Sequence, residues 1–127
     1  MPLAFAARLA AASALVATSL VHAADPVRLN KEETQQALSG KSMTYDPRGS
    51  TSGAITIFFS ADGRMTMKLA NSPRTSAGTW NVDDDGRYCL KVISGTGSDG
   101  CRPLFKTDTG YALRTGRGDV ITIDKLE

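Results

Sequence analysis

Between Ala54 and Ser60 the chain alternates: Ile55, Ile57 and Phe59 take one side, Thr56, Phe58 and Ser60 the other. A period of two predicts a half-buried β-strand. After an Ala61-Asp62-Gly63 turn, Arg64 to Ala70 repeats the pattern, with Met65, Met67 and Leu69 on one face and Thr66 and Lys68 on the other. Trp80 and Val82 precede a tight Asp83–Gly86 turn, and Tyr88, Leu90 and Val92 follow it. Two period-2 runs around an Asp-Gly turn predict a β-hairpin. Further strand-sized segments are Ser42–Tyr45, Cys101–Lys106, Tyr111–Thr115 and Val120–Leu126, the last with Ile121 and Ile123 inward. Turn-forming stretches divide them, among them the glycine-rich Gly95–Gly100 and Gly116-Arg117-Gly118.

One stretch breaks the period. Asn30 is a suitable N-cap, Glu33 three residues on completes a capping-box pattern, and Gly40 is a suitable C′ residue. Glu32 and Glu33 lie where the helix dipole favours negative charge. Ala37 and Leu38 form a thin apolar face, so this three-turn helix has to lean on something. The pattern therefore predicts an α+β fold: one short N-terminal helix packed on a curved antiparallel β-meander of about six to eight strands. A small β-barrel is the alternative.

The N-terminus carries a different signal. Arg8, the apolar run Leu9–Leu20 and the small residues of Val21-His22-Ala23 match a secretory signal peptide cut after Ala23. The run is too short for a membrane span, and no cysteine follows the cut to take a lipid anchor. Removing 23 of the 127 residues leaves 104, one exported domain over residues 24–127 with no transmembrane segment. Arg8 leaves with the leader, so 14 basic residues face 13 acidic ones, and the basic residues are scattered. Nucleic-acid binding and a polybasic membrane patch are not indicated. A periplasmic or secreted location is expected.

The sole histidine, His22, also leaves with the leader. The mature chain then has no Ser-His or Cys-His catalytic pair and no imidazole metal ligand. Its two cysteines, Cys89 and Cys101, are expected to form a structural disulfide in an oxidising compartment. The order Gly40, Asp62-Gly63, Gly78-Thr79-Trp80, Asp85-Gly86-Arg87, Cys89-Leu90 and Cys101 resembles a family of small exported bacterial domains of unknown function. That resemblance spans nearly all of the mature chain. It implies a fold and a compartment, and it carries no catalytic residue.

Three patterns suggest chemistry. Asn81-Val82-Asp83-Asp84-Asp85-Gly86 opens like a calcium loop, but the twelfth position is Val92 where a bidentate glutamate belongs. A solvated hairpin turn accounts for it. Met65 and Met67, with Met43 near, place soft thioethers on one strand face, a pattern suited to Cu(I). Small periplasmic copper-binding barrels are similar, pairing a Met-x-Met strand with a tryptophan and a histidine; Trp80 is available here and the histidine is missing. Ordinary core filling by methionine fits the same spacing. Arg117-Gly118-Asp119 spells an adhesion tripeptide, yet between two strands it is turn chemistry.

Asp83, Asp84 and Asp85 are adjacent in a turn and do not frame a substrate bond. No serine sits in a nucleophile elbow, and no glycines form a phosphate cradle. The expectation is thus a non-enzyme: a non-catalytic binding or interaction protein of the bacterial cell envelope or secretome, with a protein or small-molecule ligand. The alternative is a periplasmic Cu(I)-binding protein. Phe58, Trp80, Tyr88 and Tyr111 are the aromatics to test for an exposed interaction surface; Trp80 and Tyr88 fit core positions better, and Phe58 comes first because it points away from Ile57 and Phe59.

Overall fold

The computed structural model describes residues 25–48 and 51–127; the leader read at residues 1–23 lies outside them. In chain order the described residues form β1 (Val27–Arg28), α1 (Lys31–Leu38), β2 (Lys41–Tyr45), β3 (Ile55–Phe59), β4 (Arg64–Leu69) and β5 (Thr75–Val82). Then come β6 (Tyr88–Ser94), β7 (Gly100–Arg102), β8 (Leu104–Thr107), β9 (Gly110–Arg114), β10 (Val120–Thr122) and β11 (Lys125–Leu126).

These strands build two antiparallel sheets. The larger runs β11-β2-β3-β4-β5-β6-β7 and curls into a half-barrel; the smaller runs β1-β8-β9-β10. This corrects the expected α+β single meander. The fold is mostly β, and one helix of eight residues is its only α element among the described residues. The meander β2 to β7 survives as the larger sheet, but the ladder neither stays single nor closes into one barrel.

Two segments that read as single strands are each divided between the sheets. Cys101–Lys106 breaks at Pro103, which has no N–H to continue a ladder. β7 pairs with β6 before it, and β8 pairs with β9 after it. Val120–Leu126 divides at Ile123 and Asp124, whose amides donate to Tyr111 in the small sheet and to Thr44 in the large one. β1, too short for a periodicity signal, pairs with β8.

Between them the sheets enclose one core. Met43, Ile57, Phe59, Met65 and Tyr88 from the half-barrel meet Leu104 and Leu113 from the small sheet. Phe59 is its hub, packed edge-on against Trp80 at 5.2 Å and Tyr88 at 5.7 Å, the arrangement aromatic quadrupoles favour. Trp80 also ties two turns together, donating from Nε1 to the Ser60 carbonyl at 2.8 Å and from its amide to Gly63.

Three hairpins use one turn. In Ser60–Arg64, Asp83–Arg87 and Thr115–Asp119 the first residue's carbonyl accepts from a glycine three positions on, and its amide donates to the fifth residue. Gly63, Gly86 and Gly118 have φ of 92°, 82° and 89°, the left-handed region a glycine adopts most readily. Gly78 matters for a different reason. It stands at the register shift between β5 and β6, where a Cβ would lie 1.8 Å from the Lys91 carbonyl oxygen.

The helix begins as its capping box predicts: Asn30 accepts from the Glu33 amide at 2.9 Å, and Glu33 accepts from the Asn30 amide at 3.1 Å. It packs on β2 and β5 through Ala37, Leu38 and Thr34, all buried. Thr34 donates to the Gly86 carbonyl at 2.8 Å, so the helix is fastened to the acidic hairpin turn.

Cys89 and Cys101 face each other across the β6–β7 ladder and are bonded. The bridge closes a loop of 12 residues' separation around a three-residue edge strand. Replacing both cysteines by serine is expected to cost about 3 kcal/mol and to lower Tm by roughly 10–20 °C, measured by thermal unfolding. Gly78→Ala, which drives a methyl into the Lys91 backbone, is expected to cost about 3 kcal/mol or more, measured by urea unfolding.

Candidate functional site

Where β7 and β10 leave their partner sheets, the two sheets part and an open cleft of about 1200 Å³ lies between them. Tyr45 at the end of β2 and Ile55 at the start of β3 form one wall. Val120, Ile121 and Thr122 of β10 form another, and Arg102 of β7 closes the side between. The Thr115–Asp119 turn makes the rim, so the Arg-Gly-Asp tripeptide is a hairpin turn at the mouth of this cleft. Such a gap at the junction of sheets is a common place for a ligand site.

The charges in the cleft balance. Arg48, Arg102 and Arg117 line it, and so do Asp46, Asp119 and Asp124. None of the six forms an ion pair among the described residues. Five of them are exposed and hydrated; Arg102 alone is half-buried. Its position follows from the disulfide register: Cys101 opposes Cys89 on the outer face, so Arg102 opposes Tyr88 and turns inward.

Two phenols lie beside it. Tyr88 is fully buried and Tyr45 is 3 % exposed, and the Arg102 charge acts on both. Burial pushes both phenols up, outweighing the opposing pull of Arg102, so Tyr45 keeps its proton above the ordinary value near 10.0 and Tyr88 well above it. The Tyr88 hydroxyl has no hydrogen-bond partner among the described residues. A buried orphan hydroxyl is costly, about 1–3 kcal/mol, and this one lies next to the only half-buried cation of the cleft.

The residues singled out from the sequence are distributed otherwise. Trp80 is 5 % exposed and Tyr88 0 %; both belong to the core around Phe59. Tyr111 is half-buried under Lys106, whose Nζ lies 4.7 Å from the ring centroid. Phe58, 42 % exposed, stands on the outer face opposite Ser42 and Thr66. These four aromatics do not gather into a surface, because the alternation that exposes Phe58 turns Trp80 and Tyr88 inward. Met65 and Met67 are buried on the inner face of β4, and Met43 is buried on β2, so these three thioethers are packed in the core.

The acidic turn is occupied by its own hydrogen bonds. Asp83 Oδ1 accepts from the amides of Asp85 and Arg87, and Oδ2 from Arg87 Nε at 2.8 Å. Burial alone would raise its carboxyl, but the Arg87 amide and guanidinium together hold it below the usual carboxylate range. Asp83 also lies within reach of Cys89 and Cys101, whose sulfurs are bonded to each other and are not thiolate ligands. The turn serves as a brace, with Lys31 reaching Asp84 at 3.0 Å and Arg28 the Asp85 carbonyl at 3.1 Å.

Neither Arg102 nor Tyr45 stood out in the sequence. A signal for Arg102 existed: pairing Cys89 with Cys101 as direct cross-strand neighbours places the next residue on the inner face. Comparison with protein-family models, curated proteins and solved structures found no match. The function is therefore read from the geometry of the cleft.

Because the folded state keeps both buried phenols protonated while the unfolded chain releases them near pH 10, stability is full below that pH and falls above it. Each phenol contributes a slope of about 1.4 kcal/mol per pH unit. Tyr88→Phe removes one of these slopes and the orphan hydroxyl together. Urea unfolding from pH 7 to 12 is expected to show equal or slightly raised stability at pH 7, by up to about 1 kcal/mol, and a shallower alkaline decline.

Proposed function

We propose that this chain is an exported, non-catalytic binding protein whose ligand, a small molecule or a segment of a protein partner, occupies the cleft between the two sheets. The observation that carries this reading is the cleft itself, an open space of about 1200 Å³ that combines apolar walls, a half-buried guanidinium and a buried phenol. Polar and charged groups make up most of this lining, beside an apolar strip formed by Ile55, Val120, Ile121 and the Tyr45 ring; fixed polar groups of this kind orient a ligand.

Two other features support it. No histidine follows Ala23, and the three adjacent aspartates form a braced turn. For the exported location, the support is the Cys89–Cys101 bridge, which persists in oxidising compartments, together with the leader-like N-terminus. Among the described residues no helix is long and apolar enough to cross a membrane.

The test is native mass spectrometry of the mature protein recovered gently from its own compartment, beside the variant Val120→Trp. Val120 lines the cleft and is 47 % exposed, so the larger side chain intrudes on the apolar wall of the cleft and not on the core. The expected outcome is a retained small molecule or partner chain on the native protein, lost in the variant. Retention that survives Val120→Trp, or a chain that carries nothing, overturns the reading.

A further inference from the structure

We propose that the cleft binds an organic monoanion, a carboxylate on an apolar body, with Arg102 receiving the carboxylate. This rests on the cleft being the binding site and adds the class of ligand.

Hydration decides which charge matters. A guanidinium drawn partly out of water loses solvation, and an opposite charge with good geometry restores it. The exposed Arg48 and Arg117 keep their water. Arg102 has lost part of its own and has no ion-pair partner among the described residues. Its planar fork matches a carboxylate through two parallel hydrogen bonds. Arg102 is also held in place, on a strand bonded to β6 by both the ladder and the disulfide. A fixed cation binds at a smaller entropic cost than a mobile one.

The lining limits the valence. Three arginines and three aspartates leave it neutral, so one negative charge paired with the half-buried Arg102 already brings the cleft to −1. A dianionic phosphate would place a second charge against Asp46, Asp119 and Asp124, without the surplus of cations that phosphate sites show. The walls set the rest of the ligand. Ile55, Ile121, Val120 and the Tyr45 ring offer apolar surface along the cleft, and burying a chain's methylenes there gains about 0.8 kcal/mol each. The protonated Tyr45 phenol is a neutral donor that adds no competing charge.

The experiment titrates the mature protein with decanoate, decanol, decyltrimethylammonium and decyl phosphate by calorimetry. Wild-type protein is expected to bind decanoate roughly ten- to a hundredfold tighter than decanol, and the cation and the phosphate more weakly than decanoate. Arg102→Gln is expected to lower decanoate affinity by the same factor while leaving decanol binding unchanged, and Arg102→Lys to fall between. A role of Arg102 in folding alone would weaken decanol and decanoate together. Should Arg102→Gln fail to fold, the ranking of the four probes on wild-type protein decides the matter.

Binding of all four probes alike, abolished by Val120→Trp, overturns the anion assignment and leaves the cleft as the site. Decyl phosphate above decanoate overturns the monoanion. Decanoate binding indifferent to both Arg102→Gln and Val120→Trp overturns the inference and the cleft reading together. No decanoate binding overturns the inference, whereas the cleft reading is judged separately by what the native protein retains.

Discussion

Pro103 has no amide hydrogen, and the form of the molecule turns on that missing donor. A strand leaving Cys101 beside β6 cannot extend the ladder through a proline, so the chain changes sheets there. The return crossing at Ile123 and Asp124 is made by two successive amides that donate to opposite sheets, Ile123 to Tyr111 and Asp124 to Thr44. Between these two crossings the sheets separate on one side and remain packed on the other. The packed side is the core; the separated side is the cleft.

Holding two sheets together while one side stays open requires the remaining side to be stiff. Phe59 stiffens the larger sheet by touching Trp80 and Tyr88 at once, linking β3 to β5 and β6 across the half-barrel, and Leu104 and Leu113 of the smaller sheet join the same core. Trp80 extends the link to the Ser60–Arg64 turn. On the other flank the helix is pinned by Thr34 to the Gly86 carbonyl, and a Cβ at Gly86 would come within 2.7 Å of the Leu29 carbonyl oxygen. Helix, turn and N-terminal strand therefore approach each other as closely as backbone allows. The Asp83–Arg87 hydrogen bonds serve this junction, and the turn's acidity is consumed in fastening it.

Much of this was legible in the chain. The alternation in Ile55–Phe59 and Arg64–Leu69 is local, because one strand's two faces meet two different solvents, and it located β3 and β4 within a residue. The Asn30–Glu33 cap is equally local. Gly63, Gly86 and Gly118 marked three hairpins because one backbone conformation demanded them. What remained hidden is non-local. The period of two in Val120–Leu126 fails after Ile123, where Lys125 takes the inward phase and Leu126 falls out of it, but that break does not say that successive amides serve two sheets. Pro103 was visible, but a single proline reads equally as an edge position. Thr34 is polar and sits beside the apolar stripe, yet its hydroxyl is buried on a carbonyl fifty-two residues away.

The disulfide joins the fold to the cleft. β7 has three residues and ladder bonds on one side only; an edge strand of that length frays unless something else holds it. The bridge at Cys101 holds it, and the adjacent residue is Arg102. The guanidinium that faces the cleft is thus one bond along the chain from the link that oxidation creates. Reduction would leave the core around Phe59 largely untouched, since Cys89 and Cys101 project from the outer face, and its first effect would be on the strand that positions Arg102. A domain arranged in this way draws its packing from the aromatic hub, while the bridge adds stability through the chain and fixes the edge strand that carries Arg102.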